Sequence, residues 1–178
     1  MTLVVAIDVG IKNLGVCAFD FSNGQVVHWE NVSLVPSGRY IPAQNVQYVR
    51  DFVNRFQYLF ANASAVIVER QMRCNMRIIE SLLHMLFYDR CHVVHARCVK
   101  LHYGLSTRNY RQNKVKAVEW AKEFMKQNAL IFAPGTAEHF LASTKQDDLA
   151  DSLLMTTYYL DTYNHANQPQ VPVSVAID

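Results

Sequence analysis

The chain reads as an α/β fold, one mixed sheet with helices on both faces. Three observations predict it. Short β-branched runs open the chain; amphipathic stretches with helical spacing then alternate with further short apolar runs; and neither an internal repeat nor an interdomain linker divides the 178 residues. Three strands up and down, followed by helix, strand, helix, strand and two helices, close into one layered structure. Strands reached through crossover helices are expected to run parallel to the first.

The elements follow in order. Leu3 to Val9 is an apolar run broken only by Asp8, and it reads as a first strand, not as a basic leader with a cleavage site. Gly10 to Asn13 is a turn, Leu14 to Phe19 the second strand, and Gln25 to Leu34, entered through Asn23-Gly24, the third. After a loop with Pro36, Gly38 and Pro42, the apolar positions Val46, Val49, Phe52, Val53, Phe56, Leu59 and Phe60 predict a helix over Gln44–Phe60. Ala65 to Val68 is a short buried strand that ends in Glu69, so a second apolar strand terminates in a carboxylate. Met76–Tyr88 is predicted helical, His92–Val99 a fifth strand leading to Lys100, Leu101–Asn113 a mobile basic loop, and Lys114–Gln127 a helix. Pro134-Gly135 marks a turn before the last helix. Residues 1–163 are expected to form one domain, with 164–178, which hold Pro169 and Pro172, as a loosely attached tail.

Composition narrows the function. With 51% apolar and 18% charged residues the chain is an ordinary globular one, and no uncharged apolar window is long enough to span a membrane. Cys17, Cys74, Cys91 and Cys98 have neither zinc-ligand spacing nor a CxxC pair, and the seven histidines form no HExxH, so reduced thiols in an intracellular, reducing compartment are expected. The net charge of +2 hides an asymmetry: Arg70 to Lys126 carries twelve Lys and Arg against four Asp and Glu, which leaves five against eleven elsewhere. Tyr103, Tyr110 and Trp120 lie among these cations, a mixture that suits a phosphate backbone.

The densest chemistry is Lys145-Gln146-Asp147-Asp148-Leu149-Ala150-Asp151. Asp148 and Asp151, three apart, share one helix face, and carboxylates that close repel unless a proton or cation sits between them. The bland alternative is an acidic helix start with Asp147 as N-cap. If the first and fourth strands are parallel neighbours, Asp8 and Glu69 end side by side on one sheet edge.

Taken together, Asp8-x-Gly10-x-x-Asn13-x-Gly15, Val68-Glu69-x-Gln71 and Asp148-x-x-Asp151 resemble the motifs of RuvC-type Holliday junction resolvases, and within them the poxvirus-like branch related to the mitochondrial enzymes. The likeness runs from Leu3 to Tyr159. It implies an RNase H-like fold with sheet order 3-2-1-4-5, a homodimer, and magnesium-dependent cleavage of four-way DNA junctions, at a cytoplasmic replication site if the source is viral. It makes Asp8, Glu69, Asp148 and Asp151 the metal ligands. An all-carboxylate set offers hard oxygens, which suit Mg²⁺ or Mn²⁺ and disfavour zinc. Two such ions in one site support in-line hydrolysis leaving 5′-phosphate and 3′-hydroxyl ends.

The resemblance also implies a lysine near the scissile phosphate. Lys114 is the first choice, with Lys116 and Lys100 as competitors, and Asp147 returns to the helix-cap reading. Arg70, Arg73, Arg77, Arg108, Arg111, Lys100 and Lys116 are assigned to the nucleic-acid backbone. Tyr103 or Tyr110 is a candidate to stack on a base. The apolar helix Met76–Tyr88 is the candidate dimer interface, with plain core as the alternative. Other readings are an actin-like ATP-binding domain, which would need a second domain that this length does not provide; a nuclease of the same fold on structured RNA, as in ribosomal RNA maturation; and an inactive nucleic-acid-binding scaffold, which the carboxylate set argues against.

Overall fold

The computed structural model describes residues 2–163, so the expected tail lies outside the described residues. Strands β1 (Leu3–Asp8), β2 (Leu14–Asp20) and β3 (Gln25–Val32) form an antiparallel meander. Two helices, α1 (Asn45–Arg55) and α2 (Gln57–Asn62), lead to β4 (Ala63–Glu69), which pairs in parallel with β1. Helix α3 (Cys74–Leu86) then crosses to β5 (Cys91–Val94), parallel to β4. The chain continues through α4 (Ala96–His102), α5 (Tyr110–Gln127), α6 (Thr136–Ala142) and α7 (Gln146–Tyr163). The sheet order is β3-β2-β1-β4-β5, as the resemblance implies.

Successive side chains of a strand point to opposite faces, and β1 feeds two cores in this way. Val5 and Ile7 share a core with Phe52, Phe60, Ile79 and Leu83 from α1, α2 and α3, and with Phe56 from the break between α1 and α2. Val4 and Ala6 pack with Ala117, Trp120, Phe124, Leu149 and Leu153 from α5 and α7. A strand covered on both faces reads as a continuous apolar run, which is why Leu3–Ile7 does not alternate in sequence.

Four expectations are corrected. The helix over Gln44–Phe60 is two helices, because the chain leaves helical geometry at Phe56, where the ring buries against Phe52 at 5.3 Å and His28 at 5.4 Å. The strand over His92–Val99 stops at Val94, which already faces Glu69, the last residue of its one partner strand among the described residues. With no ladder to extend, the chain turns helical: His95 caps α4 through Nδ1, which accepts the Arg97 N–H at 3.2 Å, and Val99 buries beneath. The expected loop 101–113 is shortened by α4 and α5 and internally tied, since the Asn113 side chain accepts from the Thr107 N–H at 2.7 Å and returns a hydrogen bond to the Thr107 carbonyl at 3.1 Å. Gly135, at φ 88°, takes the left-handed turn, but α6 follows it directly. On α3, Ile79 and Leu83 are core while Ile78 and Met85 are exposed, so its apolar residues divide between two roles.

Helix α7 is clamped over the end of β2 and β3. The Trp29 indole N–H, buried, donates to the Leu149 carbonyl at 2.9 Å, and the Asn31 amide donates to the Lys145 carbonyl at 2.8 Å. Gly15, the partner of Asp8 across the β1–β2 ladder, lies so close that a Cβ there would meet the Asp148 carbonyl oxygen at 2.4 Å. Gly15→Ala should therefore lower stability by about 1–3 kcal/mol, the usual range for overpacking. Urea unfolding measures this, and a wild-type midpoint would mean that α7 is not held against β2.

Candidate active site

The carboxyl ends of β1 and β4 deliver Asp8 and Glu69 to one sheet edge, where Ile7 faces Val68 one residue before each acid. The clamp on α7 brings its first two turns to the same edge, with Asp148 and Asp151 on the side facing the sheet. The electrostatics record the convergence. Burial, followed by the charges of Glu69 and Asp151, a hydrogen bond with Glu69 and the charge of Asp148, pushes the Asp8 carboxyl well above the usual range. Burial pushes Asp151 up to about 6, against the opposing pull of Lys100. Asp148 is also raised, by burial and then by its neighbour Asp147.

Two ammonium groups stand among these acids. Lys100 Nζ lies 2.9 Å from Asp151 Oδ1 and donates to Oδ2 at 3.0 Å, with only 11% of its side chain exposed. Lys100, expected both as a backbone contact and as a competitor to Lys114, turns into the cluster. Lys114 Nζ pairs with Asp147 and lies 3.8 Å from Asp148 Oδ1. Asp147 is not the N-cap that its position suggests. It sits in the first turn of α7, and although burial works to raise its carboxyl, the hydrogen bond and charge of Lys114 outweigh burial and hold it below the usual range. Burial likewise opposes the Lys114 ammonium, and Asp147 more than restores it.

The donor set suits a hard divalent cation. The four acids are acceptor-only oxygens when ionised, and the buried Asp151 Oδ1 has the Lys100 ammonium 2.9 Å away as its partner. As the side chains stand, no three His, Cys, Asp or Glu groups among the described residues close around one ion position. The two lysines provide the nearest positive charge instead.

The remaining expected residues separate clearly. Arg70, Arg73, Arg77, Arg108, Arg111 and Lys116 are all exposed, and Arg70 Nε in addition lies 3.4 Å from Glu80. Tyr103 is unavailable for stacking: its hydroxyl donates to Asp161 at 2.7 Å, its ring lies 4.9 Å from Trp120, and burial pushes its phenol far above the usual range. Tyr110 is 70% exposed, with Lys114 Nζ 5.4 Å from its ring centre. Sequence reading assigned no role to Glu80. It is a buried acid, and only its burial distinguishes it from the exposed charges of other helices.

The family model described as Poxvirus A22 protein matches residues 2–162. The chain belongs to this family. No curated protein sequence gives a significant match. Among solved structures, this A22 family member resembles the fowlpox virus resolvase in complex with substrate Holliday junction DNA, with TM-score 0.66 and 16% identity, covering 90% of this chain and 98% of that one. It resembles the yeast mitochondrial Holliday junction resolvase with TM-score 0.68 and 17% identity, covering 92% and 85%. Thermus thermophilus RuvC follows with TM-score 0.51 and 16% identity, covering 90% and 96%. The fold is the RuvC type of RNase H-like fold.

The site geometry predicts an ordered set of titrations. Carboxyl ¹³C spectra of the chelated protein should show Asp151 titrating near pH 6, Asp8 and Asp148 above the ordinary aspartate range and Asp147 below it. Because the Asp151 midpoint is raised, its carboxyl takes up a proton as pH falls through about 6. Four ordinary titrations near pH 4 would mean that the acids do not face one another.

Proposed function

We propose that this chain is a structure-selective endonuclease that resolves four-way DNA junctions by phosphodiester hydrolysis, with symmetric nicks that leave 5′-phosphate and 3′-hydroxyl ends. The observation that carries this reading is the meeting of Asp8, Glu69, Asp148 and Asp151 at one sheet end in a chain of the A22 family. The likeness of the fold to three junction resolvases supports it.

Asp8, Glu69, Asp148 and Asp151 would hold two Mg²⁺ ions, with Mn²⁺ as a substitute. Bound there, divalent ions supply Lewis acidity to an in-line displacement at phosphorus. The protein's own groups do the rest. Lys114, paired with Asp147 beside Asp148, is placed to face the charge that develops on the attacked phosphate. Asp147 holds that ammonium in position and keeps it protonated. Lys100 neutralises Asp151 when no ion is bound, and so lessens the repulsion that would spread the cluster. The exposed Arg73, Arg77, Arg108, Arg111 and Lys116 supply positive charge for DNA phosphates.

A resolvase makes two symmetric cuts, and a two-fold dimer matches that requirement. The outward side of α3 is the face we assign to a second copy: Met72, Ile78 and Met85 are exposed there and line a shallow groove.

Asp148→Asn should lower cleavage of a four-way junction at least a thousandfold while leaving junction binding within about threefold, since it removes a ligand and not a cation. Wild-type turnover by this variant would remove Asp148 from the site. Junction affinity should fall by about 10³ or more between about 50 and 200 mM salt, as expected when six or more phosphate contacts release counterions. A flat response, measured by fluorescence anisotropy, would exclude the basic segment as the footprint.

A further inference from the structure

Glu80 lies outside the carboxylate cluster, on the side of α3 that packs toward β4, and only 9% of it is exposed. A buried carboxylate needs donors, and its donors identify what it does. Its Oε2 accepts the backbone N–H of Gln71 at 2.7 Å, and its Oε1 lies 3.4 Å from Arg70 Nε. Gln71 is itself buried at 6% exposure, and its side-chain amide donates to Glu69 Oε2. On the other side of the same turn, the Arg70 N–H donates to the Val94 carbonyl at 2.7 Å. The two residues after Glu69 are thus fastened to α3 and to β5.

We infer that Gln71 and Glu80 are positioning residues for Glu69: Glu80 fixes the exit turn of β4, and the turn aims the Gln71 amide at one oxygen of the Glu69 carboxylate. Glutamate has one more rotatable bond than aspartate, so Glu69 has the most side-chain freedom of the four acids to restrain, and it stands beside the charge of Asp151 as well as in a hydrogen bond with Asp8. A donor on Oε2 limits that freedom. The donor is a neutral amide. It orients Glu69 without adding a positive charge that would compete with a metal ion, unlike the lysines at Asp151 and Asp147.

The role of these two residues in ion binding rests on the reading of the four acids as a metal site, so the test uses two readouts. Manganese(II) binding is measured by calorimetry, and the Glu69 carboxyl ¹³C resonance is measured in chelator, for the full chain and its Gln71→Leu, Glu80→Leu and Glu80→Gln variants. Gln71→Leu and Glu80→Leu should weaken Mn²⁺ binding about tenfold or more, in the range found for groups that orient metal ligands, and should shift the Glu69 resonance. Glu80→Gln keeps an acceptor for the Gln71 N–H and should stay within about threefold of wild type. Thermal unfolding identifies the variants that are folded; if Glu80→Leu does not fold, Gln71→Leu and Glu80→Gln decide. A folded Gln71→Leu with wild-type Mn²⁺ affinity and an unmoved Glu69 resonance overturns the inference, and so does a Glu80→Gln that loses affinity as Gln71→Leu does. If the wild-type chain binds no Mn²⁺, the metal-site reading fails; the Glu69 resonance then decides the positioning alone, supporting it if shifted in Gln71→Leu and overturning it if not.

Discussion

The Asp148 carbonyl approaches β2 so closely that only a glycine fits opposite it, and that contact sets Asp148 and Asp151 against the sheet edge where β1 and β4 present Asp8 and Glu69. Trp29 and Asn31 reinforce it by donating to the Leu149 and Lys145 carbonyls on either side of Asp148. The first turns of α7 are therefore held to the sheet through their backbone. Their side chains are left to point into the cluster. This division matters because the side chains themselves repel: two carboxylates about 4 Å apart at an effective dielectric constant near 20 oppose each other by about 4 kcal/mol. That is a large fraction of the net stability of a domain, about 5–15 kcal/mol. The ammonium groups of Lys100 and Lys114 offset part of that repulsion, and the scaffold holds the acids against the rest.

Three kinds of group manage the excess charge, each suited to its place. Lys100 lies almost out of solvent on Asp151, where an uncompensated charge is most costly. Lys114 occupies a more open edge between Asp147 and Asp148, accessible to a phosphate. Gln71 meets Glu69 with a dipole, which orients the carboxylate and leaves its charge intact. Burial above all, and neighbouring acids after it, still hold Asp8, Asp148 and Asp151 above the usual carboxylate range, so these partners leave part of the cost of the clustered charge uncompensated. A divalent cation is the partner that such a set of oxygens fits.

Much of this was legible in sequence because strand periodicity and the right-handed crossover rule are local or nearly so. Two apolar runs end in Asp8 and Glu69, and the crossover rule leads to the expectation that the second run lies parallel to the first; the pairing of β1 with β4 then puts their acids on one edge. The glycines of the first motif were visible too, although the reason for Gly15 was not, since its neighbour Asp148 lies far along the chain. Errors concentrated where tertiary partners override local preference. His92–Val99 has strand character throughout, but its ladder partner ends at Glu69 and the chain turns helical. Tyr103 and Tyr110 have similar surroundings in sequence; one is half-buried against Trp120 and Asp161, and the other is exposed beside Lys114.

By itself, the sequence determined the sheet, its order once the resemblance was admitted, the four acids, and the basic segment that accompanies them. The strands, the individual acids and the basic segment depend on residue type and spacing within single elements, whereas the sheet order and the grouping of the four acids into one set are what the resemblance implies. Only the tertiary structure decided which cation meets which acid. Lys100 and Asp151 are separated by 51 residues and Lys114 and Asp147 by 33, and no periodicity links residues so far apart. It likewise decided that Asp147 serves Lys114 instead of capping a helix, and that Glu80, indistinguishable in sequence from a surface acid, holds the turn behind Glu69. The physical reason is burial, because a charge removed from water is defined by the partner that compensates it, and that partner is chosen by the fold.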